Sequence, residues 1–160
     1  MTRVRAAGMW GWGALLTTVA VSCGPAPATL DSLPLPPFAV EGKYNGGFET
    51  RVDQRMFRAR DQLEPRYGPL EIGDFALVEE GRGWTDVQAF YAQPAVQKTL
   101  ADAGFVRQVL PPNTLRRYEL ALWTRKRTFG KDEALAAVFV PGSPGDPLNF
   151  LLRVHAPSRR

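Results

Sequence analysis

The chain has 160 residues, 44% hydrophobic and 22% charged, which is the composition of a globular domain and excludes wholesale disorder. Its 20 Lys and Arg stand against 16 Asp and Glu, a net charge of +4. Arg3 and Arg5 supply two of those positives, and the excess left elsewhere is too small to argue for a nucleic-acid partner. One cysteine, Cys23, excludes an internal disulfide, and one histidine, His155, leaves no His/Cys set to hold a metal.

Residues 1–22 place Arg3 and Arg5 ahead of an uncharged run from Ala6 to Ser22, the layout of a secretory signal peptide. Two alternatives stay open. An uncleaved anchor needs Gly8, Gly11 and Gly13 to reach the ~20 residues a bilayer span requires. Cleavage after Ala28, in Ala26-Pro27-Ala28, gives a protein without an anchor.

The stretch Ala20-Val21-Ser22-Cys23 resembles the processing signal of bacterial lipoproteins, with Ala20 where those signals prefer Leu. The resemblance implies a diacylglyceryl group on the Cys23 thiol, cleavage before Cys23 and acylation of the new amino group. Gly24 in the following position, rather than Asp, implies the outer membrane in preference to the inner. Two or three acyl chains anchor stably where a single chain does not. On this reading 23–37 is a lipid-attachment site and tether, because Pro25, Pro27, Pro34, Pro36 and Pro37 favour extended chain that cannot build a core.

A single domain is expected over 38–156, with a basic tail at 157–160. Asn45-Gly46-Gly47 between two alternating runs signals a hairpin. A three-residue loop sets Tyr44 opposite Phe48 and Val40 opposite Val52, giving one apolar face. Asp53 is placed to cap a helix over 54–64, ended by Pro65. A strand over 70–80 follows, with Gly73 as a bulge. Thr85 and Gln88 form a capping box that opens a helix at Asp86, and Pro94 kinks or divides it before the stop at Gly104.

Four strand-like runs finish the chain: Phe105–Leu110, Leu115–Thr124, Ala134–Val140 and Leu148–His155. The last alternates one buried face with a half-wet face that carries Arg153 and His155. The order β-β-α-β-α-β-β-β-β predicts an α+β domain with a mainly antiparallel sheet and its helices packed on one face.

Chemistry is scarce in this pattern. Any nucleophilic pair would have to use His155, which reads as an exposed strand-end residue, and there is no Gly-x-Ser-x-Gly elbow. Gly130-Lys131 lacks both the leading glycine and the Ser or Thr of a phosphate loop. Asp74, Glu79 and Glu80 read as solvated edge charge. No enzymatic activity, cofactor or metal is expected. Trp123 and the basic residues Arg125, Lys126, Arg127 and Lys131 are the candidate contact surface, facing anionic headgroups or an acidic partner.

The sequence therefore leads to a non-enzymatic accessory or binding subunit, held at the membrane by acyl chains on Cys23 and facing the periplasm, with an envelope protein as partner. The alternative is a small ligand-binding domain, its pocket between helix 86–103 and the sheet and lined by Phe90, Tyr91 and Tyr118.

Overall fold

The computed structural model describes residues 27–42, 49–110 and 119–157. The signal-like run 1–22, Cys23, the Asn45-Gly46-Gly47 loop, Arg116–Tyr118 and the tail residues 158–160 lie outside the described residues.

Among the described residues six strands form one antiparallel sheet. They are β1 (Ala39–Glu41), β2 (Glu71–Val78), β3 (Val106–Arg107), β4 (Leu120–Arg125), β5 (Glu133–Val140) and β6 (Asn149–Ala156). Their spatial order is β1-β2-β6-β5-β4-β3, so the last strand in the chain lies in the middle of the sheet. Three helices accompany them: α1 (Glu49–Tyr67), α2 (Trp84–Tyr91) and α3 (Pro94–Asp102). This is the α+β class with an antiparallel sheet that the pattern of runs leads one to expect.

The helices occupy both faces of the sheet, not one. Along β5, Ala134, Ala136, Val138 and Val140 pack toward α1, while Leu135, Ala137 and Phe139 pack toward α2 and α3. Every residue of β5 is buried. A strand covered on both sides reads as a continuous apolar run, and Glu133-Ala-Leu-Ala-Ala-Val-Phe-Val140 is such a run after its first residue. The same double cover removes the half-wet face expected of β6: Leu151, Arg153 and His155 are buried as well.

Among the described residues the expected hairpin pairing of Val40 with Val52 is absent. Glu49–Val52, which would form most of its return arm, belongs to α1, and β1 pairs instead with β2 (Val40 opposite Leu77). The helix wins because it extends one buried stripe from Val52 through Ala59 and Leu63 to Tyr67, whereas a strand over 48–52 stops at Val52. Pro65 does not end this helix but sits inside its last turn. Lys131 donates to the carbonyls of Glu64 and Pro65 (3.5 and 3.1 Å), and Gly68, at φ +98°, closes the turn with its N–H on the Glu64 carbonyl at 2.9 Å.

Helix α2 starts two residues earlier than the Thr85/Gln88 pattern suggests. Asp86, not Gln88, reaches back, its Oδ2 accepting the Gly83 N–H at 2.9 Å. That bond, and the Arg82 side chain at 3.1 Å, hold the Asp86 carboxyl below its ordinary range. Pro94 divides the helical stretch by opening α3, where its missing N–H costs nothing. The pairing of β2 with β6 slips between Ile72 and Phe75, the irregularity that Gly73 foreshadows.

The fold begins before Phe38. Leu33 and Pro36 are buried and Ala28, Leu35 and Phe38 pack against the α2/α3 side of the core, around a single 3-10 turn at Leu30–Ser32. Arg153 of β6 grips this segment through Asp31 (3.1 Å), the Leu33 carbonyl (3.4 Å) and Glu41. Tyr91 donates its hydroxyl to the Pro34 carbonyl at 3.0 Å. Residues 28–37 are therefore part of the domain and not free tether. Proline-fixed backbone loses little entropy when laid on the sheet, so the same composition that suggests a loose arm also makes a cheap strap.

Candidate functional site

Of the residues nominated as a contact surface, two are interior. Trp123 has no exposed surface: it lies on the inner strand β4, under α2, with the Tyr91 ring 5.0 Å from its own and the Arg107 guanidinium 5.3 Å from its centroid. Arg125 is buried too, its guanidinium 4.8 Å from the Phe105 ring centroid. The expected cavity beside α2 is occupied by packed rings, since Phe90 lies edge-on to Tyr91 at 5.1 Å and both are buried. Tyr118 lies outside the described residues.

Arg125 belongs to a charged cluster at the end of the sheet where β2 and β5 begin. Glu133 Oε2 accepts from Arg125 Nε (2.9 Å), Arg125 Nη2 (2.6 Å) and Arg127 Nη2 (2.6 Å). Its other oxygen lies 2.9 Å from His155 Nε2, while His155 Nδ1 lies 3.4 Å from Glu71 Oε2. Glu133 and His155 are each 2% exposed. Burial pushes the Glu133 carboxyl up, but the hydrogen bonds from His155, Arg125 and Arg127 outweigh it and hold the group below its usual range. An ionised carboxylate only accepts, so Nε2 carries the proton in this contact. Arg125 Nη1 also donates to the Ala103 carbonyl at 3.0 Å, tying the C-terminal end of α3 to the cluster. Sequence reasoning placed His155 at an exposed strand end. The signal it lacked is cross-strand: His155 and Glu133 meet only through the β5–β6 register, 22 residues apart.

The other face carries an open feature. Six strands span roughly 24 Å, whereas a helix is about 10–12 Å wide, so α1 alone cannot cover its side. Beside it runs a groove made of three adjoining hollows that share Arg55, Gln62 and Leu120. The hollows at its two ends measure about 220 and 250 Å³, and the one that joins them narrows to about 10 Å³. Leu120, Leu122, Val138 and Val140 form the floor. Arg51, Arg55, Arg58, Gln62 and Arg66 form the wall, recurring every three or four residues so that they share one flank of α1. The stripe runs 15 residues, or about 22 Å at the helical rise.

Some of these cations have internal work. Arg51 donates to the Pro141 carbonyl (2.6 Å) and to Asp146 (2.7 Å), fixing the start of α1 to the β5–β6 turn. Gly142 in that turn admits no larger residue, because a Cβ there would fall 2.5 Å from the Pro147 carbonyl oxygen. Arg55 lies 3.7 Å from Glu119, whose carboxyl is pushed up by burial and eased down by Arg55. Arg58 and Arg66 present their charges to solvent.

Lys126 is exposed on the turn between β4 and β5, as expected, and beside it Phe129 is 88% exposed. Arg127 and Lys131 are on the same turn, each with the internal bonds given above. Among the described residues no group of three or more His, Cys, Asp or Glu is placed to hold a metal, and no helix is long and apolar enough to cross a membrane. No protein-family model matches the chain, and searches of curated proteins and of solved structures return no match.

Proposed function

We propose that this chain is a lipid-anchored envelope protein, attached through Cys23 to the outer membrane and facing the periplasm, that works without catalysis as a binding subunit. Its receptor surface is the groove beside α1, and its partner is an acidic, amphipathic segment of another envelope protein.

The observation that carries this reading is the groove's construction. It sets an apolar floor under a cationic wall that carries arginine at 51, 55, 58 and 66 and is interrupted by Gln62. It is open and shallow, so an acyl chain would stay largely wet in it, whereas an extended peptide of ~7 residues matches its ~22 Å. Acidic side chains on one side of such a peptide meet the arginines, and alternate apolar side chains reach Leu120, Leu122 and Val138. The Ala-Val-Ser-Cys resemblance supplies the location and is separate from the groove.

The test is the affinity of the full chain for a synthetic peptide of alternating Glu and Leu, followed by fluorescence anisotropy. Binding is expected to weaken with salt, and Arg58→Glu with Arg66→Glu is expected to weaken it about tenfold, two exposed pairs becoming two repulsions. Equal binding by the double variant, or by a Lys/Leu peptide, sinks the reading.

A further inference from the structure

We infer that the turn Lys126–Asp132, led by Phe129, docks on an anionic bilayer surface, so that the domain lies against the membrane that holds it. This rests on Cys23 acylation and adds a second point of contact.

Three observations meet at one end of the sheet. First, the described chain starts with a packed segment. Ala28 sits on the core, and Leu30 lies over Gly73, where a Cβ would be 3.2 Å from its side chain. Only residues 24–27 separate Cys23 from Ala28, a reach of at most ~18 Å. A lipid on Cys23 therefore cannot hold the domain far from the bilayer.

Second, Gly73 lies near the start of β2, and the register puts the β4–β5 turn at the same end: Glu71 pairs with His155, Ala134 with Ala156, and Arg125 with Glu133. Three strand spacings, about 15 Å, separate β2 from β4. The anchor's exit and Phe129 can thus meet one plane.

Third, the turn is braced with its aromatic outward. Lys131 is bonded to the last carbonyls of α1, Arg127 N–H donates to Asp132 at 3.3 Å, and the Arg127 guanidinium binds Glu133. These bonds fix the base of the turn while leaving Phe129 in water. A large apolar side chain presented on a fixed turn, with the exposed Lys126 beside it, has the chemistry of an interfacial anchor: ring into the headgroup boundary, ammonium onto a phosphate. One ring and one exposed cation bind weakly alone, but a covalent lipid within ~18 Å makes the second contact effectively intramolecular.

The experiment uses the full, membrane-inserted chain carrying Thr128→Cys, which keeps Phe129, labelled with an environment-sensitive fluorophore, in vesicles of purified phosphatidylethanolamine and phosphatidylglycerol. Phe57→Cys on α1 is the reference, since Phe57 is also exposed. Mass measurement of the N-terminal peptide reports acylation of Cys23 independently. Docking predicts blue-shifted emission at 128, quenched by nitroxide lipids, and water-like emission at 57. Phe129→Ala or Lys126→Glu in the labelled chain, or removal of phosphatidylglycerol, should reduce the shift. Acylated Cys23 with water-like emission at 128 overturns docking and leaves the anchor standing. Unmodified Cys23 overturns the anchor and the docking together. A shift at 128 without nitroxide quenching means that protein, not lipid, covers the turn, and also overturns it.

Discussion

The two faces of the sheet solve the same problem with different means. On one, α2, α3 and the N-terminal segment together cover the strands, with aromatic packing at Trp123 and Tyr91 and a charge cluster at Glu133 and His155. On the other, among the described residues, α1 lies alone on aliphatic side chains and leaves its flank open. The lesson is geometric: one helix over six strands leaves a groove, and two helices with a strap do not. A face closed in that way can bury charge, because the Glu133 carboxylate there is met by Arg125, Arg127 and His155; the open face puts its arginines at the rim instead.

The largest effect expected on this contrast comes from Glu133→Ala. It leaves Arg125 buried without its carboxylate, and should cost about 3–5 kcal/mol in chemical denaturation. A loss below about 1 kcal/mol would mean that the cluster is wetter than its burial implies. On the α1 face, Leu63→Ala removes only packing and should cost about 2–5 kcal/mol, at the lower end if the open flank lets the site collapse.

Acid should separate the faces further. The Glu133 carboxyl titrates lower folded than unfolded, so its contribution is complete above the unfolded value of about 4.3 and is lost as pH falls through the lower folded one. Denaturation midpoints should therefore decline below about pH 4 in the native chain, and less steeply in Glu133→Gln. An equal decline in both would assign acid sensitivity to other carboxyls. Smallest of all, Arg58→Ala in the groove wall should change stability by less than about 0.5 kcal/mol, since its charge is in solvent.

Local chemistry was legible in the residues. Pro94 marks the break between α2 and α3, Gly73 the slip in β2, and alternating hydrophobics the final strands. What the residues concealed depends on partners distant along the chain. Trp123 and Arg125 read as surface because the helices that cover them are encoded elsewhere. The arginine flank of α1 is partly concealed because the residues of its first turn also fit a strand pattern. The strap at 28–37 looked like linker because proline content says that a segment is extended, and is silent on what it lies against. The basic turn was recognised from charge alone, while Phe129 in its centre drew no notice.

The position of β6 bears on when this protein can fold. It is the last strand made, yet it joins β2 to β5, and through Arg153 it holds Asp31, 122 residues earlier. Until residues near 155 emerge, no described strand pairs β1–β2 with β3–β4–β5. Such long-range closure slows folding. On the envelope location proposed above, a keystone delivered last would keep the earlier parts threadable until export is nearly done.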